Sequence, residues 1–211
     1  MHVLSNATRT AYLLGEVSEG FWDYFPVALA LKTPLPTLLL LLVSPLVLAR
    51  QRRLALDSQF IWLPIVSFLG LAIYSRMNLG LRHILSIYPF LFVCLGGVSA
   101  ALLNSPSIVK RCAICSLALW LAASCVLAYP HYLAFFNEAL GPRQRHEILV
   151  DSNLDWGQDL KGLKRWMVDQ RVDRIELAYF GAADPRCYAI DGIYRLGTLT
   201  GVLAPPAAPA T

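Results

Sequence analysis

Four apolar runs constrain this chain more than any other feature. They cover residues 25–49, 59–75, 84–103 and 112–129, each within the roughly 17–25 residues that a helix needs to cross a hydrocarbon layer. Lipid offers backbone N–H and C=O groups no hydrogen-bond partner, so runs of this kind fold as helices. Only 15% of the 211 residues are charged and 56% are hydrophobic, whereas a soluble domain carries about 25% charge. The charges are sparse from 25 to 130 and dense from 138 to 195. The expected fold class is therefore mostly α, multi-pass, with about four spans followed by a small α/β unit of βαβ type.

The first run breaks at Lys32-Thr-Pro-Leu-Pro36. The break predicts a short surface-lying helix up to Lys32 and a spanning helix from about Leu35, with proline in its first turn, where a missing N–H costs nothing. Residues 1–24 read as an interfacial segment, because Tyr12, Phe21, Trp22, Tyr24 and Phe25 crowd beside the apolar run. With four crossings, the Arg50–Arg53 cluster and the Lys110–Arg111 pair share one side. The positive-inside rule makes that side cytoplasmic. Both ends and the 75–83 loop are then extracytoplasmic, in an inner or plasma membrane. Basic residues gathered in short loops suit topology, not nucleic-acid binding.

Arg76, Asn78, Arg82 and His83 stand in that outer loop, against the charge bias, wedged between two apolar runs. Arginine grips phosphate oxygens in pairs through a planar fork of donors and stays charged when partly desolvated. Histidine adds a switchable donor. Arg76, Arg82 and His83 are thus candidates for a phosphate or pyrophosphate site at the outer leaflet. Lys32, at the same boundary, is a candidate helper. The other reading is that these cations only snorkel to lipid headgroups, and the sequence leaves both open.

The segment 130–196 reads as a small soluble α/β domain, with 197–211 a disordered tail. Glu147–Asp151 is expected as a strand, about 154–170 as a helix with Trp156, Leu160, Leu163 and Met167 on one stripe, and 174–180 as a second strand. Two strands joined by such a helix should form a right-handed parallel unit. Asp151, Asn153 and Asp155 suit helix capping, with a sugar or acceptor contact as the competing reading. A calcium loop is disfavoured by the position of its glycine and the lack of a closing glutamate. Tyr129–Glu138 reads as an interfacial aromatic segment. Cys94, Cys112, Cys115 and Cys125 lie in apolar runs and Cys187 stands alone, so neither a disulfide framework nor a zinc site is expected. No nucleophile–base pair, P-loop or dinucleotide fingerprint occurs, and no catalytic residue, metal or cofactor is assigned.

Several stretches, in order, resemble the C-terminal portion of bacterial family 39-type membrane glycosyltransferases, relatives of the protein O-mannosyltransferases and lipid A aminoarabinose transferases. They are Tyr24-Phe-Pro-Val-Ala-Leu-Ala-Leu-Lys-Thr-Pro34, Asn78-Leu-Gly-Leu-Arg-His-Ile-Leu-Ser-Ile-Tyr-Pro89, Pro130-His-Tyr-Leu-Ala-Phe-Phe-Asn-Glu138, Val150-Asp-Ser-Asn-Leu-Asp-Trp-Gly-Gln-Asp-Leu160 and Tyr179-Phe-Gly-Ala-Ala-Asp-Pro185. The resemblance implies a GT-C fold and an extracytoplasmic active site. The donor would be a sugar on a polyprenyl-phosphate carrier, and the transfer inverting, with or without a divalent cation. Arg82 matches the position expected near the lipid phosphate, with Arg76 and Lys32 as helpers. The family's catalytic carboxylate lies in an N-terminal loop to which none of Glu16, Glu19 and Asp23 can be mapped. The chain is accordingly expected to be a fragment, inactive without its N-terminal half. The rival expectation is a non-enzymatic membrane anchor that presents a small α/β binding module. A transporter ranks third, because polar residues at mid-helix depth are almost absent.

Overall fold

Proline and the apolar runs set the helix order in the computed structural model of the chain. It describes residues 11–50, 52–76, 78, 80–141, 145–179 and 183–196, with backbone alone at 52–58, 151 and 193–196. The expected tail, 197–211, lies outside the described residues. Contacts divide the chain into two units, the first ending at Leu154 and the second beginning at Asp155.

The first unit opens with an antiparallel hairpin, β1 (Ala11–Leu13) and β2 (Glu16–Ser18). Its two-residue turn, Leu14-Gly15, has both residues at positive φ, 52° and 87°, as a type I′ hairpin turn requires. Helix α1 (Tyr24–Lys32) follows and ends at Thr33, whose extended backbone is what a residue before proline adopts. Helix α2 (Leu35–Arg50) then leaves at 113° to α1. At about 1.5 Å per residue α1 is roughly 13 Å long and α2 roughly 24 Å, so neither alone matches the ~30 Å of a hydrocarbon layer. Next come α3 (Arg52–Ser75), a 3-10 segment (Leu81–Ile87) that runs into α4 (Tyr88–Leu103), and α5 (Ile108–Ala128).

Two of these helical stretches, Leu81–Leu103 and Ile108–Ala128, are long and apolar enough to cross a membrane, and the bent α1–α2 pair makes a third if counted as one; Gln59–Ser75 is a shorter apolar helix. Their outer faces carry Leu42, Phe60, Leu63, Leu119 and Leu127, all well exposed. A soluble monomer rarely shows that much contiguous apolar surface, and lipid is its natural cover. The buried core gathers at one end of the helices: Leu13, Tyr24, Phe25, Ala28, Ile65, Ile84, Ile87, Leu91, Phe136 and Leu149.

Two expectations need correction. Residues 147–151 are not a strand: α6 (Arg145–Ile148) and a 3-10 turn (Asp151–Asn153) occupy the place. They belong to the first unit because Leu149 is fully buried in its core and the Ile148 carbonyl accepts the Leu14 N–H at 3.0 Å. The described residues of 130–154 therefore belong to the first unit. The second unit consists of α7 (Leu160–Gln170), β3 (Arg174–Tyr179), a 3-10 turn (Pro185–Tyr188) and β4 (Asp191–Leu196). The strands are parallel, with Arg174 opposite Asp191 and Tyr179 opposite Leu196. The partner of β3 thus follows it in the chain, and the expected strand–helix–strand order is replaced by helix–strand–strand. Leu160, Met167 and Ile190 form its small core.

Candidate functional site

Pro34 has no N–H, so the carbonyl of Ala30, four residues earlier, loses its helical partner. Asn137 replaces it. Its Nδ2 donates to the carbonyls of Ala30 (2.6 Å) and Thr33 (2.9 Å), and its backbone N–H donates to Leu31 (2.8 Å). Asn137 is fully buried. One asparagine thereby closes the end of α1 from a position 104 residues away, and Lys32 is held at that end.

Lys32 is half-buried. Its Nζ donates to the carbonyls of Leu133 (2.7 Å) and Asn153 (2.5 Å) and stands 4.5 Å from the centroid of the Phe136 ring. Burial first, and the Arg145 guanidinium second, pull the ammonium from 10.5 down to about 8. Two N–H groups of the ammonium are spoken for. The third has no partner among the described residues, and no carboxylate there pairs with Lys32. An ammonium so placed is a donor and a charge left over.

Asn153 ties this lysine to the start of the 81–87 segment. It is 1% exposed. While its carbonyl accepts Lys32, its Oδ1 accepts the Leu81 N–H (3.1 Å) and its Nδ2 donates to the Tyr24 hydroxyl (2.7 Å). The first N–H groups of a helix lack internal partners, and Asn153 supplies one to Leu81. Close packing at Gly80 permits this. Gly80 sits at φ 107° and a side chain there would collide with the Ser152 hydroxyl, so glycine is demanded both sterically and conformationally. Asn78 makes a third joint: its Oδ1 accepts the Phe21 N–H (2.7 Å) and its Nδ2 donates to the Phe21 carbonyl (3.1 Å).

The sequence candidates therefore separate. Lys32 and Asn153 touch, and Asn153 joins them to the segment that carries Arg82 and His83, both exposed there. Arg76 ends α3 at φ 49° with its side chain exposed. Asn153 is a buried joint, so its amide does not reach toward a ligand. The side chain of Asp151 lies outside the described residues. Asp155 belongs to the second unit, where its Oδ1 accepts the Gly157 N–H at 2.9 Å in a loop turn; it caps no helix, because the helix expected from about 154 begins only at Leu160, with Asp159 before it.

Two residues escaped the sequence reading, Phe136 and Arg145, and a third, Glu138, was expected only as part of an interfacial segment. Phe136, 2% exposed, is the ring beneath Lys32, and the Arg145 guanidinium carbon lies 6.0 Å from the same ring. Glu138 accepts from Ser124 Oγ (2.5 Å) and Trp120 Nε1 (3.3 Å) on α5. Burial pushes the Glu138 carboxyl up, but bonds from Ser124, its own backbone and Trp120 outweigh that and hold it below the usual carboxylate range. Glu138 is thus an ionised tether to α5. Among the described residues no group of three histidine, cysteine or acidic side chains is placed to hold a metal. Set against protein-family models, curated proteins and solved structures, the chain matches none.

Proposed function

We propose that this chain is the donor-binding, C-terminal part of a family 39-type, GT-C glycosyltransferase, and that it holds the phosphate of a polyprenyl-linked sugar at the extracytoplasmic membrane face. In this reading α2, α3, α4 and α5 cross the bilayer. The Arg50–Arg53 cluster and Lys110–Arg111 lie on the cytoplasmic side, and Arg76, Arg82, His83 and Lys32 on the outer side.

One observation carries the reading. Four of the stretches that carry the resemblance, separated by up to 129 residues, are joined by hydrogen bonds around a single half-buried lysine. Tyr24 and Lys32 meet Asn153, Leu81 meets Asn153, Lys32 meets Leu133, and Asn137 meets Ala30 and Thr33. What they surround is cationic, with no acidic partner for Lys32 among the described residues. A cation kept from water without a counter-charge is costly unless an anion completes it, and at a membrane surface the available anions are phosphates. The family's acid has no mapped counterpart here, so the reading assigns this chain binding without transfer.

The test is binding by the purified chain in lipid nanodiscs. Polyprenyl monophosphate should bind at least tenfold more tightly than the neutral polyprenol, and Arg82→Ala should remove most of that preference. Equal binding of the two lipids, or an unchanged preference in Arg82→Ala, overturns the reading in favour of a non-enzymatic membrane anchor that presents the small α/β unit.

A further inference from the structure

Arg145 is the least explained cation in the first unit. It opens α6, its Nε is buried, and that atom has no hydrogen-bond partner among the described residues. Buried donors are almost always paired, so an orphan asks for a cause. Arg145 and Lys32 also share one aromatic neighbour: Nζ of Lys32 stands 4.5 Å and Cζ of Arg145 6.0 Å from the Phe136 centroid. Two like charges beside one ring repel, and the ring's own attraction for cations offsets only part of that. The ion pairs among the described residues, Arg174–Asp191 and Arg186–Asp184, both lie in the second unit. Nothing described in the first unit neutralises Lys32 or Arg145.

We propose that Arg145 and Lys32 together bind one phosphate monoester dianion beside Phe136, with Arg145 as a binding residue in its own right. Two adjacent positive charges match a dianion, whereas a carboxylate would leave one uncompensated. The oxygens supply the acceptors that are missing here, one for Nε of Arg145 and one for the third N–H of Lys32. Guanidinium suits this position because its fork donates two parallel bonds to phosphate oxygens. Phe136, itself buried, leaves that side of the site apolar. The proposal rests on the donor-binding reading for the source of the phosphate, since the donor is a phosphodiester monoanion and the polyprenyl phosphate released when its sugar leaves is the monoester dianion, and on the two cations alone for its chemistry.

The experiment uses the whole chain in nanodiscs, with inorganic phosphate, polyprenyl monophosphate, polyprenol and acetate as probes. Reductive methylation of lysine, read by mass spectrometry at each site, reports occupancy in the unaltered protein. Either phosphate should slow modification of Lys32 at least tenfold and leave Lys110, Lys161 and Lys164 unchanged, while acetate and polyprenol protect nothing. Arg145→Gln should abolish the protection and Arg145→Lys should restore part of it, a rescue that packing alone would not produce. Should Arg145→Gln fail to fold, Arg145→Lys and the unaltered chain still decide the matter. Unprotected Lys32, or protection that survives Arg145→Gln, overturns the proposal. If polyprenyl monophosphate binds and responds to Arg82→Ala but not to Arg145→Gln, this inference fails and the donor-binding reading stands. If inorganic phosphate protects Lys32 through Arg145 and the polyprenyl form adds nothing, the inference stands and the donor-binding reading fails.

Discussion

Replacing Asn137 separates a donor from a mere polar filler at the end of α1. In Asn137→Ala the Ala30 and Thr33 carbonyls lose the Nδ2 donor, while the Leu31 carbonyl keeps the backbone N–H of residue 137. An orphaned buried acceptor costs about 1–3 kcal/mol, so with two of them Asn137→Ala should lose about 2–6 kcal/mol. Asn137→Asp has nearly the same shape but puts an oxygen where the donor was. Ionised, it faces two carbonyl oxygens in a fully buried site, so the folded state favours the protonated acid, which has one O–H to give back. Its folded pKa must therefore lie above the unfolded value of about 3.9. With that sign the folded state binds more protons, and stability falls as pH rises from the unfolded to the folded pKa. Thermal unfolding in nanodiscs at pH 5 and pH 8 is the assay. Asn137→Asp should be the less stable variant at pH 8 and should recover toward Asn137→Ala at pH 5, while Asn137→Ala should shift no more than the unaltered chain. A pH-independent Asn137→Asp as stable as the unaltered chain would refute the capping role.

Two further outcomes follow from the same region. Lys32 has its pKa depressed from 10.5 to about 8 by burial and by Arg145, so between those values the unfolded chain binds more protons and stability rises with pH. The gain is at most about 3 kcal/mol; Lys32→Met should remove this rise, seen by comparing unfolding of the two proteins from pH 7.5 to 10.5, and identical slopes would contradict it. Gly80→Ala adds a side chain at φ 107° against Ser152, and strain plus overpacking should cost about 2–4 kcal/mol in unfolding; a neutral result would mean that the 78–81 backbone is not held against Ser152.

The helices were legible because length and hydropathy suffice for them. The break at Lys32-Thr-Pro34 was legible too, since proline acts on its own residue and the one before. The hairpin was not: its turn is Leu14-Gly15, and leucine at positive φ replaces the asparagine or aspartate that usually marks such a turn. Residues 147–151 misled for another reason. A short apolar run does not distinguish strand from helix by periodicity, and here the decision came from Leu149 entering a core built by residues far away in the chain. The candidate site was half legible. Lys32, Arg82 and His83 announce themselves as charges at the edge of apolar runs. Phe136 and Arg145 do not, because an aromatic among aromatics and an arginine in a polar loop carry no local signal. The same holds for Asn137, whose partners on α1 lie more than 100 residues away; Asn153 was legible as a polar candidate, but not as a buried joint to Tyr24, 129 residues away.

These asparagines explain why the site exists where it does. A proline break inside an apolar run turns the chain, but it also leaves helix-end carbonyls without donors. Apolar packing would not satisfy them, and water is scarce beside buried Phe25 and Phe136. A neutral side chain with two N–H donors and an acceptor is the smallest group that meets the need without adding charge. Asn137 spends its donors on α1, and Asn153 spends its acceptor on Leu81 and a donor on Tyr24. Charges at the joints would have neutralised the neighbouring cations, whereas amides bind the elements together and leave Lys32 and Arg145 without a counter-ion among the described residues. Aspartate at 153, whose carbonyl accepts Lys32, would put an anion close to that lysine and close the site electrostatically. The fold is therefore fastened by neutral groups at the place where it concentrates positive charge, and that pairing is what a receptor for a phosphate dianion requires.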